Sequence, residues 1–252
     1  MKIIDSHIHI GKWSGIFYNY ESSVAEAIDV MKRSGVEAAV CMPTDITGNY
    51  ELFKQTINNT DFKFFYNAWI NPDDVSLDDF LEKNLGRVSL FKIHPSIQRK
   101  KITDTSYDKY IQIASENKIP VVVHCGRWQE IASFKFPLEL TEKYPDLILI
   151  LAHLGGDQPS IYLECAETIR DKKYKNVYLG TESVREFYFV NKVVNTVGAE
   201  KVIFGSDYNL GLPLTYIPIV DSLRITASDK ELIFSGNIMR LIEDRGIRIF
   251  RI

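Results

Sequence analysis

The sequence has little cysteine, no excess of either charge and no long apolar run, and each shortage removes a class of function. Its three cysteines (Cys41, Cys125 and Cys165) are odd in number, widely spaced and each set in an apolar segment. They read as reduced thiols of a cytoplasmic protein, not as a disulfide framework. A total of 30 basic residues against 33 acidic ones leaves a net charge of −3, which offers no electrostatic footprint for nucleic acid. The short basic clusters Arg99-Lys100-Lys101 and Lys172-Lys173 read as solvated surface. No apolar stretch approaches the ~18 residues needed to cross a bilayer. The first residues also lack the charged start, apolar middle and small-residue cleavage site of a signal peptide, so neither membrane nor export is expected. A Gly-rich dinucleotide fingerprint and a phosphate-binding P-loop are both absent.

What remains is ordinary soluble material arranged in a regular rhythm. The chain has 252 residues, 45% of them hydrophobic and 25% charged, enough for one large core. Strand-like and helix-like segments alternate from end to end. The first strand lies within Met1 to Ile10, and a helix at Tyr20 to Ser34 carries Val24, Ala27, Ile28 and Met31 on one face. Further strands are expected at residues 36–42, 63–70, 88–94, 120–125, 147–152, 177–179 and 202–204. Helices are expected at residues 50–59, 77–85, 107–117, 131–144, 161–171 and 186–197, with a final one at 230–244. Eight βα units in about 250 residues fit a single-domain (β/α)8 TIM barrel, an α/β fold. A doubly wound open sheet shares this rhythm. No linker or internal boundary interrupts it.

Histidine is scarce too, and its placement is the most informative feature of the chain. The five histidines are His7, His9, His94, His124 and His153. Each falls at the C-terminal end of a predicted strand, which in a barrel is the catalytic face. His7 and His9 are two apart on one strand, so both side chains project to the same side and can share a divalent ion. Neutral imidazole suits zinc, iron or nickel, and zinc commonly combines histidine with carboxylate. The predicted eighth strand closes on such a carboxylate, Asp207, and glycines after His153 allow close approach of backbone or ligand.

The set DSHIHIG, FKIHP, VVVHCG, LILAHLGG and FGSD resembles the amidohydrolase superfamily. It is most similar to the branch of aminocarboxymuconate semialdehyde decarboxylase-like metal-dependent hydrolases. The resemblance runs in order from the first strand to the eighth, and Ser235-Gly236-Asn237 with the following apolar residues resembles that branch's closing helix. It implies that His7, His9, His124 and Asp207 bind one metal ion, most simply Zn2+, beside an open position for water. Asp207 would also take the proton of that water, and His153 would hydrogen-bond the water or a developing oxyanion. Some relatives carboxylate a strand-four lysine to bridge two ions. Lys92 and His153 are therefore the candidate ligands of a second metal, although one ion per chain is the preferred reading.

Several other residues fit a substrate site. Lys92 and His94 share a face of strand four; Lys92 is a cation for a substrate carboxylate or a structural residue, and His94 is a group supporting the ligands, a substrate contact or a packed histidine before Pro95. Arg127 could hold a carboxylate with a bidentate pair, while Trp128 and Trp13 could cover an apolar portion. Glu182 stands where the branch shows a different strand ending; a contact to substrate and a supporting position behind the metal ligands are both open for it, and neither is assigned. The expected activity is hydrolysis of a small amide, cyclic amide, lactone or ester, with a small-molecule substrate and a homodimer as the expected partners. The alternatives are non-oxidative decarboxylation of an unsaturated or aromatic acid, and a non-catalytic ligand-binding barrel, against which an intact Asp207 argues.

Overall fold

The computed structural model describes residues 1–246. Eight parallel strands run in chain order: β1 (Ile4–His9), β2 (Ala38–Met42), β3 (Lys63–Trp69), β4 (Val88–Ile93), β5 (Val121–Val123), β6 (Leu149–Leu151), β7 (Val177–Gly180) and β8 (Val202–Ile203). Each pairs with the next, from β1 through β8. β8 is only two residues long, so the seam to β1 is stitched mostly by the chain that follows it. Ser6 N donates to Phe204 O at 3.0 Å, Asp207 N donates to His7 O at 3.0 Å, and Ile8 bridges Tyr208 in parallel. These contacts turn the sheet into a barrel, as the alternating rhythm predicted, and not into an open sheet.

The strands are buried on both faces, which explains their nearly continuous apolar character. Alternate side chains point inward. A lower layer including Ile4, Val40, Phe65, Leu90, Val122 and Ile150 packs as one cluster with Ile238, Leu241 and Ile242 of the helix Asn237–Asp244. That helix therefore plugs the N-terminal end of the barrel. Two residues further along the same inward rows stand Lys92 and His124, so the barrel interior changes from apolar to polar towards its C-terminal mouth.

Most expected helices are present with shifted ends. The first begins at Val24 because Ser23 accepts from Glu26 N while the Glu26 carboxylate accepts from Ser23 N, a reciprocal cap. The helix expected over 131–144 breaks at Ser133 into Gln129–Ala132 and Lys135–Lys143. The final helix starts earlier, at Ala227, and passes through a π turn at Leu232–Gly236. There the Ile233 carbonyl accepts from Phe204 N at 2.9 Å, which anchors the chain just after β8. A further helix, Pro213–Asp221, is not foreseen by the pattern: it starts on one proline, contains another (Pro218) and is apolar all round.

Candidate metal centre

His7 and His9 leave the end of β1 into the barrel mouth, and Asp207 enters it from the loop after β8. One ligand atom from each lies within 4.8 Å of the others. Asp207 Oδ1 is 3.6 Å from His7 Nε2 and 3.7 Å from His9 Nε2. Its second oxygen, Oδ2, accepts from the Ser183 hydroxyl at 2.6 Å, which fixes the plane of the carboxylate. Asp207, Ser183 and His153 all adopt left-handed backbone conformations (φ 61°, 62° and 58°). Non-glycine residues there are uncommon and collect at functional sites, held by surrounding structure.

The charge states suit a cation. Burial drives the His7 and His9 imidazoles well below their ordinary range, helped by the nearby Lys92 ammonium, so both are neutral. Burial alone would raise the Asp207 carboxyl. The attraction of the carboxylate for any proton on the His7, His153 or His9 rings and the hydrogen bond from the Ser183 hydroxyl outweigh it, so a proton entering the cluster does not go to Asp207, which stays ionised. Two neutral imidazoles and one carboxylate form a donor set that fits a borderline divalent ion.

The tautomers can be read from the partners, because a carbonyl oxygen only accepts. His9 Nδ1 is 3.0 Å from Pro43 O and so carries the hydrogen, leaving Nε2 bare towards Asp207. His153 Nδ1 is 2.9 Å from Glu182 O and likewise donates. In a neutral His153 ring, Nε2 then accepts from His124 Nδ1 at 3.0 Å, which leaves His124 Nε2 bare. Lys92 Nζ lies 3.1 Å from His7 Nε2, so that nitrogen too is an acceptor. His94 is the opposite case: its Nδ1 accepts from Ile97 N at 3.3 Å, so its hydrogen sits on Nε2.

The expected residues are thus brought to one mouth. His124 stands outside the tight cluster of His7, His9 and Asp207; its ring stacks on His94 at 3.8 Å and 13°. His153 was expected to reach a water or an oxyanion, or to bind a second ion. In this structure its Nδ1 is 2.9 Å from Glu182 O and its Nε2 is 3.0 Å from His124 Nδ1. His94 is a helix cap for Pro95–Gln98, sandwiched between His124 and Trp69. Trp13 is fully buried, donates from Nε1 to Asn209 Oδ1 at 2.8 Å and packs its ring against His9 at 4.8 Å. Trp128 is more than one third exposed at the rim, under the Arg99 guanidinium at 3.8 Å. Arg127 lies exposed beside it.

The cavity above this cluster measures about 370 Å³. His9, Asp207 and Lys92 form part of its floor, Trp13 and Phe17 one wall, and Arg127 its rim. The pattern gave no role to Ser183 or Trp69. Ser183 follows Glu182 at the end of β7 and Trp69 ends β3, so position at a barrel strand's C-terminal end was the available signal.

The chain matches a family model described as amidohydrolase over residues 4–243. None of the curated protein sequences matches it. Among solved structures it resembles 5-carboxyvanillate decarboxylase from Sphingomonas paucimobilis, with a TM-score of 0.74 and 13% identity over 96% of this chain and 99% of that one. A probable 2-pyrone-4,6-dicarboxylic acid hydrolase from Acinetobacter baumannii gives a TM-score of 0.72 and 14% identity over 96% and 100%. A dihydroxybenzoic acid decarboxylase from a Polaromonas species, solved with manganese, gives 0.71 and 14% over 96% and 97%. Identities this low speak for the shared fold.

Proposed function

This chain belongs to the amidohydrolase family, and on that premise we propose that it is a metal-dependent hydrolase of a small, carboxylate-bearing lactone, cyclic amide or ester. The observation that carries the reading is the cluster of His7, His9 and Asp207, of which His9 and Asp207 line the floor of a cavity sized for a small molecule. His124, with its bare Nε2, is proposed as the fourth ligand. A divalent ion held by these residues would supply Lewis acidity and lower the pKa of a bound water.

The rest of the chemistry belongs to the side chains. Asp207 is ionised, and its Oδ1 faces the cluster while Ser183 holds Oδ2, so it is placed to accept a proton from an attacking water. His94 keeps a hydrogen on Nε2 and is neutral through burial, so it is a fixed donor for a substrate oxygen. Arg127 at the rim supplies a planar cation for a substrate carboxylate, and Trp13 and Phe17 provide an apolar wall for its body.

Decarboxylation is the second reading, favoured by that same aromatic wall. An apolar surface beside a carboxylate disfavours its charged form and so favours loss of CO2. The two readings part in one experiment. Metal-loaded protein is offered carboxylate-bearing lactones, with ring opening followed by absorbance, and hydroxylated benzoates, with CO2 release followed in parallel. Ring opening without CO2 release is expected. CO2 release alone would establish the second reading, and inactivity on both classes with full metal occupancy would count against each. One Zn2+ or Mn2+ per chain is expected from elemental analysis.

A further inference from the structure

Glu182 is a buried acidic group that this activity does not use. It is 1% exposed, and neither carboxylate oxygen has a hydrogen bond of regular geometry. Such a group is costly to bury unless something needs it there. Room has been made for it: a Cβ on Gly180 would lie 2.2 Å from Oε2, and one on Gly205 would lie 3.3 Å from the same atom. Its Oε1 stands 2.9 Å from His7 Nδ1, the ring nitrogen turned away from Asp207. Its own backbone carbonyl is the acceptor for His153 Nδ1.

We propose that Glu182 is a positioning residue for the metal centre, its carboxylate holding the hydrogen on His7 Nδ1 and its backbone carbonyl doing the same for His153. The inference rests on the metal-centre reading above. One residue at the end of β7 then sets the tautomers of three rings. The carboxylate leaves His7 Nε2 bare. The carbonyl makes His153 an acceptor for His124 Nδ1, which leaves His124 Nε2 bare as well. Pro43 O performs the equivalent task for His9. Only the His7 contact uses a side chain, so it is the one that substitution can remove. A carboxylate behind a ligating imidazole also increases its basicity, and loss of such a partner typically weakens metal binding about 10–100-fold.

The test uses Glu182→Leu, which removes the carboxylate and keeps the backbone carbonyl, beside Glu182→Gln, which keeps an acceptor oxygen without the charge. In metal-free, 15N-labelled protein, histidine ring spectra should show His7 and His153 both carrying hydrogen on Nδ1. In Glu182→Leu, His7 should lose that fixed tautomer while His153 retains it. Zn2+ affinity, read by competition with a chromophoric chelator, should fall about 10–100-fold in Glu182→Leu and less in Glu182→Gln. If Glu182→Leu does not fold, a several-fold loss in Glu182→Gln with His7 unchanged in tautomer supports the role. Unchanged Zn2+ affinity in the folded variants would overturn it, as would His7 and His153 shifting together, which marks a general disturbance. A wild-type His7 with its hydrogen on Nε2 would also overturn it. The ring spectra need neither metal nor turnover, so they separate this proposal's failure from failure of the proposed hydrolysis.

Discussion

Lys92 Nζ lies 3.1 Å from His7 Nε2, on the ring nitrogen that a metal ion would use. The ammonium is buried at the centre of the barrel mouth, and burial lowers its pKa to about 8. Among the described residues it forms no ion pair with a carboxylate, so it is a weakly held cation beside the proposed metal site.

That relationship separates one-metal from two-metal chemistry. If Lys92 only occupies the neighbourhood of His7 Nε2, Lys92→Met should leave one ion per chain and tighten Zn2+ binding severalfold, since no ammonium repels the incoming ion. A carboxylated Lys92 bridging two ions predicts the reverse, a drop from two ions per chain to one. Elemental analysis with chelator competition on both proteins distinguishes the outcomes. Both nitrogens of His153 being engaged favours the first.

Asp207→Asn should remove the proton acceptor while keeping the fold. Asparagine tolerates the left-handed backbone at this position, and its carbonyl can still accept from Ser183. Turnover is expected to fall by about 10²–10⁴-fold, the usual contribution of a positioned base. Circular dichroism and thermal melting should match the wild type. Near-normal kcat at full metal occupancy would remove Asp207 from the proton transfer.

Much of this was legible in the sequence, for identifiable reasons. Alternation along a strand places His7 with His9 and Lys92 above Leu90 without any knowledge of the fold, because the two-residue period is local. The strand-end position of Asp207 followed from the βα rhythm. The pairing of Glu182 with His7 did not, because it joins β7 to β1 across the barrel, and no spacing along the chain encodes it. The tautomer chain through His153 and His124 was hidden for the same reason. The helix Pro213–Asp221 escaped because its prolines mark breaks and its apolar residues surround it, leaving no amphipathic period. The π turn at Leu232–Gly236 carries the carbonyl that accepts from Phe204 N, a contact between distant segments that local spacing does not encode.

Gly205 in the FGSD segment is placed for packing. A Cβ there would lie 2.9 Å from His7 Cβ, an atom close to the backbone that cannot swing aside. Gly205→Ala should therefore displace His7 and destabilise the protein by about 1–3 kcal/mol, the usual cost of overpacking. Zn2+ affinity should fall with it. Urea denaturation and chelator competition measure the two effects, and a variant with wild-type values in both would show that the β1–β8 seam has slack.

Asp5 closes that seam beneath the metal cluster and should give the metal-free protein a distinctive pH dependence. Its Oδ1 accepts from His7 N at 3.1 Å and from Ser206 N at 3.0 Å, so one oxygen ties the strand of two proposed ligands to the residue preceding the proposed third. Burial raises its pKa from 3.8 to about 7, against the opposing hydrogen bonds from Ser206 and His7. The folded state therefore keeps a proton that the unfolded chain gives up above pH ~4. This contribution to stability is fully present below pH ~4, is lost progressively up to pH ~7 and is constant above it. A shift of this size corresponds to a change on the order of 4 kcal/mol across that window. Asp5→Asn keeps the accepting oxygen, places an N–H where the protonated acid has its O–H, and cannot ionise. Denaturation of metal-free protein between pH 4.5 and 7.5 should show wild type losing stability relative to Asp5→Asn as pH rises. A difference that stays constant across the range would mean that Asp5 is ionised in the fold.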